Sequence, residues 1–232
     1  MNEYERHAYL YSAWVALMLP CFLTAWGVWH FLPTMLDVLQ GIVTFVSVFA
    51  SCAVIYAAVG FYIRELFRST SKLLFQIPMF KEDETKMPTT EFLMWKNNYI
   101  SRSQIEKVHA KLQSQYNYMM MDEQQEEADE QEARRNIVGA VGIMRNATRD
   151  DKVLLQSNYR YGFQRNLLGG LVWSFVFVLL FLILNNILAL QYTLICLTAM
   201  FLILLQGFIA FSVMKYASRN YARALITAFI SK

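Results

Sequence analysis

No lysine or arginine occurs between residues 13 and 63, and none between residues 166 and 214. Of the 18 acidic residues, only Asp37 falls inside those two intervals. A soluble domain of this length carries charge along its whole course, at about a quarter of its positions. Here 17% of residues are charged and 56% are hydrophobic, with the charge confined to separate segments. That pattern excludes an ordinary soluble domain and points to membrane spans alternating with water-exposed segments.

Other scarcities remove whole classes of chemistry. The three cysteines, Cys21, Cys52 and Cys196, lie in different apolar stretches with no zinc or redox spacing, and read as small buried hydrophobes. His7, His30 and His109 occupy three separate regions and form no metal-ligand pattern, so no metal is expected. No phosphate-cradling glycine loop is present, and Gly169-Gly170, at the start of an apolar run, reads as a packing or hinge site. No serine or cysteine has the context of an activated nucleophile. No charge lies in mid-span, which argues against a proton-coupled pump. The expectation is neither an enzyme nor a cofactor protein. Glu3 and Glu5 beside Arg6, with no small-residue cleavage site, argue against a cleavable signal peptide.

What is present organises the chain. Four apolar runs approach or reach the roughly 20 residues needed to cross the hydrocarbon core as helix. The expected fold is an all-α membrane protein: four transmembrane helices in two hairpins, with a helical cytoplasmic domain inserted between spans two and three. Residues 1–63 hold an N-terminal segment and the first hairpin, with spans at about 13–32 and 41–63. Residues 64–166 form the inserted domain. Residues 167–214 form the second hairpin, with spans at about 167–188 and 191–214, and residues 215–232 a C-terminal tail. All 21 lysines and arginines lie in residues 1–12, 64–165 and 215–232, which places both termini and the inserted domain on the cytoplasmic side.

Within the inserted domain, residues 64–76 extend the second span as helix until Pro78. Thr89 or Thr90 after Pro88, and Ser101 or Ser103, are candidate helix caps, the latter for a helix with Ile105, Val108 and Leu112 on one face. Residues 122–148 read as helix. Their first half carries seven acidic residues between Asp122 and Glu132 and no basic one, which suits a helix N-terminus. No period-2 strand pattern of any length is present.

Basic residues follow. Arg134, Arg135, Arg145, Arg149, Lys152 and Arg160, with Arg165, gather before span three, interleaved at the end with Tyr159, Tyr161 and Phe163. Arginine with stacking rings suits a nucleotide or single-stranded nucleic acid. Anionic lipid headgroups, or pairing with the acidic stretch, are the structural alternatives. In span two, Thr44, Ser47 and Ser51 share a helix face, and Gln206 sits in span four. Close helix packing explains such residues, and a hydroxyl-lined pore is the alternative, which needs a homo-oligomer.

Three short stretches resemble a known group. They are Pro88-Thr89-Thr90-Glu91-Phe92-Leu93-Met94-Trp95, Thr148-Arg149-Asp150-Asp151-Lys152-Val153-Leu154-Leu155, and Tyr161-Gly162-Phe163-Gln164-Arg165-Asn166. They resemble elements of bacterial four-pass membrane effectors of anti-phage defence loci, of the Hailong type, in which the effector is paired with a nucleotidyltransferase. The resemblance implies a channel-like homo-oligomer, a tetramer, in the bacterial inner membrane. It would depolarise that membrane when its cytoplasmic domain changes ligand state, the ligand being a nucleotide or short single-stranded oligonucleotide made by the partner enzyme. On that reading Arg134, Arg135, Arg145, Arg149, Lys152 and Arg160 contact the ligand, and Thr44, Ser47, Ser51 and Gln206 line the pore. The alternative is a non-conducting scaffold that anchors a cytoplasmic partner protein.

Overall fold

The computed structural model describes residues 3–27, 53–81, 84–187 and 191–232, and among them there is no strand. The first helix, α1 (Glu3–Gly27), includes a wide π turn at Arg6–Leu10. It runs unbroken through Pro20, whose carbonyl accepts a hydrogen bond from the Thr24 hydroxyl at 2.8 Å. Helix α2 (Ala53–Ser71) passes through a second π turn, Lys72–Gln76, into α3 (Ile77–Phe80). Four helices follow: α4 (Pro88–Glu91), α5 (Arg102–Tyr116), α6 (Glu123–Ala128) and α7 (Glu130–Ala147). Two long helices close the chain, α8 (Lys152–Ile187) and α9 (Thr193–Ser231).

Among the described residues three helices, α1, α8 and α9, are long and apolar enough to cross a membrane. The expected second span, 41–63, falls mostly outside the described residues, which pick it up only at Ala53. At 1.5 Å per residue, the 36 residues of α8 reach about 54 Å. That exceeds a hydrocarbon core of about 30 Å, so the charged N-terminal turns of α8 stand clear of any bilayer that its apolar part crosses. Helix α9 does the same at its other end. Residues 215–232, expected as a tail, instead continue α9 and bury Tyr221, Ala222, Leu225, Ile226 and Phe229.

Helices α8 and α9 pack as an antiparallel hairpin. At its tip the Asn185 side chain accepts from the Tyr192 backbone N–H at 2.8 Å and lies 3.0 Å from the Thr193 hydroxyl, satisfying groups that a helix start leaves unpaired. Near the middle, α1 and α2 lie against α8 at Gly169 and Gly170. A Cβ at Gly170 would come 2.6 Å from the Ala16 Cβ, so glycine here sets how closely the helices approach. Polar bonds reinforce the contact. Ser174 Oγ donates to the Ala16 carbonyl at 2.5 Å, and the buried Asn166 amide donates to the Ala8 carbonyl at 2.7 Å.

The polar end of the molecule is a helical head with its own core. Phe92, Leu93 and Met94 from the segment after α4 meet Val108 and Leu112 of α5, Ile137, Val141 and Met144 of α7, and Leu225 and Phe229 of α9. Burial of this many large apolar side chains stabilises the head chiefly through the hydrophobic effect, at about 1.5–3 kcal/mol for each fully buried chain. Helix α5 starts as its sequence suggests, with Gln104 Oε1 accepting from the Ser101 N–H at 3.2 Å. The acidic stretch is broken into two helices rather than one. Asp122 Oδ1 accepts from the Gln125 N–H at 2.8 Å, and Asp129 Oδ1 accepts from Gln131 and Glu132 at 3.1 and 3.0 Å, so each aspartate caps a helix. Glu126 is buried, its carboxylate accepting the Trp95 and Lys96 N–H groups at 3.1 and 3.3 Å.

Candidate functional site

Asp151 fixes where α8 begins, its Oδ1 accepting from the Leu154 N–H at 2.7 Å. From that start, Lys152, Gln156, Arg160 and Gln164 recur every four residues and share one face of α8, with Tyr159 and Phe163 beside them. That face lines an open cavity of about 870 Å3. Helix α1 supplies Glu3, His7 and Tyr11 from in and around its π turn, and α9 supplies Val213, Tyr216, Ala217 and Asn220. The cavity therefore touches α1, α8 and α9, the three described helices with apolar, membrane-length stretches, at the end where each becomes charged.

Its wall combines cations with flat rings. Neither Lys152 nor Arg160 has an acidic partner among the described residues, and both are exposed. The His7 imidazole stacks on the Tyr159 ring, with centroids 5.7 Å apart and planes within 4°. Tyr11 meets His7 edge-on at 5.1 Å, and Tyr4 packs against Tyr159 at 5.6 Å. Glu3 is the one carboxylate among the described residues of the lining. Cationic nitrogens beside a stacked aromatic pair, open to water on one side, form a surface suited to an anion that carries a planar group.

The six basic residues expected to act together are divided by the fold. Lys152 and Arg160 lie in the cavity. Arg134 is largely buried, donating from Nη1 to the Thr85 carbonyl at 2.7 Å and from Nε to Glu130 at 2.9 Å. A bond from the Lys96 ammonium, and then the one from Arg134, hold the Glu130 carboxyl below the usual range. Arg135 is exposed, 3.7 Å from Glu132. Arg145 pairs with Glu84 at 3.0 Å and lies over the Tyr221 ring at 6.0 Å. Arg149 is exposed on the turn between α7 and α8. Among the expected pore residues, Thr44, Ser47 and Ser51 lie outside the described residues, and Gln206 is half-buried in α9.

The cavity's α1 and α9 walls were not singled out in the sequence. His7, Tyr11, Tyr216 and Asn220 lie far along the chain from Lys152, and only the four-residue spacing within α8 was there to be read. Two of the three stretches that carry the resemblance form structural corners, and the third, residues 161–166, lies within α8. Thr148 closes α7 by donating to the Met144 carbonyl at 2.7 Å, and Thr90 donates to the Glu84 carbonyl at 3.0 Å. Comparison with family models, with curated proteins and with solved structures finds no match for this chain, so its site is read from geometry alone.

Proposed function

We propose that this chain is an oligomeric, ion-channel-like membrane effector whose head is gated by an anionic ligand bearing a planar group, a nucleotide or a short single-stranded oligonucleotide. The observation that carries this reading is the cavity shared by α1, α8 and α9. Lys152 and Arg160 supply positive charge there, and His7 stacked on Tyr159 supplies flat surface. Each of the three helices runs from the cavity into an apolar stretch. A ligand that binds one relative arrangement of these helices more tightly than another shifts the population toward it, by as much as its differential affinity.

Several copies are required on this reading, because one chain offers too few helices to enclose a water-filled path. Depolarisation of a bacterial inner membrane in anti-phage defence is the biological role proposed, with the ligand supplied by a partner nucleotidyltransferase. Termini and head on the cytoplasmic side follow from the distribution of lysine and arginine.

Planar-bilayer recording of the purified full chain tests the proposal, with ATP and a mixed-sequence trinucleotide as probes. Conductance that changes with either probe, and that stops responding in the double variant Lys152→Glu, Arg160→Glu, is the expected result. Flat traces under every condition would sink it and favour a non-conducting scaffold that anchors a partner protein.

A further inference from the structure

A second hollow, of about 520 Å3, lies between α8 and α9 beside the π turn that follows α2. Its lining is almost wholly apolar and includes Leu168, Phe175, Ile203, Phe208 and Phe211, with Phe75 of the π turn. Phe75 and Phe211 meet at 6.3 Å. Phe208 and Leu204 leave most of their surface exposed along the groove, at 72% and 60%. Gly207 lies in the wall, and a Cβ built on it would meet nothing within 4 Å. The volume falls within the range of small-molecule sites, about 300–1,000 Å3.

Cations stand at one end. Lys215 Nζ lies 5.0 Å from the Phe211 ring centroid. Arg165, one turn before Leu168, donates from Nη1 to Gln76 Oε1 at 3.2 Å, and Gln76 is the neighbour of Phe75. Neither cation has an acidic partner among the described residues. Lys215 and Arg165 are also the first charges met on leaving the apolar parts of α9 and α8. An apolar groove thus ends in positive charge at the level where both helices leave their membrane-length stretches.

We infer that this groove holds an anionic phospholipid, with an acyl chain along Phe175, Ile203 and Phe211 and its phosphate against Lys215 and Arg165. A groove exposed to hydrocarbon takes up a chain at little cost, and cations whose charge no described acidic residue offsets prefer a headgroup with net negative charge over a zwitterionic one. A second copy of this chain fits less well. It would bring further lysine and arginine to a rim that already carries positive charge, and like charges repel. This site does not depend on the ligand cavity or on conduction.

Native mass spectrometry of the full chain in mild detergent, with added phosphatidylglycerol or chain-matched phosphatidylcholine, tests the site. Phosphatidylglycerol should be retained and phosphatidylcholine not. Lys215→Gln should weaken phosphatidylglycerol retention about fivefold, the effect of one cation near an anionic surface. Gly207→Leu should fill the groove and abolish retention while leaving the unfolding temperature in place. Equal retention of both lipids, or retention unchanged by Lys215→Gln, overturns the proposal. So does a lipid-free dimer that Gly207→Leu converts to monomer, which would assign the groove to a second copy.

Discussion

Gly169 lies so close to Phe67 that a methyl group on its Cα would overlap the Phe67 backbone carbonyl oxygen. Helices α8 and α2 therefore meet backbone to backbone, and the obstacle to any side chain is a carbonyl that cannot rotate away. Gly169→Ala should force the helices apart and cost about 1–3 kcal/mol, as overpacking generally does. Gly142 is the matched control, an exposed α7 glycine whose added Cβ meets nothing within 4 Å. Gly142→Ala should raise stability by about 0.5–1 kcal/mol through helix propensity. Thermal unfolding of both variants in the same detergent decides it, and a Gly169→Ala protein as stable as the parent would refute the close contact.

Asn166 is buried on α8, and its side-chain amide reaches the Ala8 carbonyl at 2.7 Å, beside the Ser12 hydroxyl, which donates to the same oxygen at 2.8 Å. The π turn at Arg6–Leu10 is thus tied to α8. Asn166→Leu removes that tie while the Ser12 hydroxyl still satisfies the Ala8 carbonyl, at an expected cost of about 0.5–1.5 kcal/mol, the net worth of one hydrogen bond. The first turns of α1 should then loosen from α8, read as faster amide hydrogen exchange over residues 3–12 than in the parent. Unchanged exchange would show that apolar packing alone holds α1.

His109 sits on α5 with its ring 4.7 Å from Trp95, and its Nε2 is buried without a partner among the described residues. Burial pushes its pKa from the ordinary 6.5 down to about 4. Between those two values the unfolded chain binds a proton that the folded head does not, so folding stability is lost as pH falls through the window. Above pH 6.5 the contribution is complete. His109→Phe keeps a ring against Trp95 and cannot titrate. The drop in unfolding temperature between pH 7 and pH 5 should therefore be smaller in this variant than in the parent, and an equal drop would assign the acid sensitivity to other groups.

The apolar stretches of α8 and α9 were legible because an uncharged run of that length has few other readings. Helix ends were less so. Lys215 marks where α9 leaves its apolar stretch, and the helix continues for 16 residues to Ser231 because Tyr221, Ala222, Leu225, Ile226 and Phe229 form a second apolar face directed at the head core. Charge signals the solvent a residue meets, and a helix can pass from one solvent to another without ending. Acidic residues 122–132 misled in a related way, since two aspartates there act as caps and break one expected helix into two. The cavity was half legible. Residues 152, 156, 160 and 164 announce one face of α8, whereas the α1 and α9 walls come from chain ends whose approach depends on tertiary packing.

The same limit governed the six basic residues, which are close in sequence and divided in space, and the division makes a testable contrast. Arg145 is enclosed by Glu84, the Tyr221 ring and the Met87 sulfur, so its charge is already matched inside the head. Arg145→Gln leaves Glu84 half-buried without its cation and should destabilise the head by about 1–3 kcal/mol, with no direct effect on ligand contact. Arg160 is exposed in the cavity and pairs with nothing acidic among the described residues, so Arg160→Gln should leave the unfolding temperature unchanged within error. Its effect should fall on binding of ATP or a trinucleotide, read as a weaker association constant that also depends less steeply on salt, because one charge contact is lost. A loss of stability in Arg160→Gln, or an unaltered salt slope, would remove Arg160 from the site and leave the cavity's cationic role to Lys152 alone.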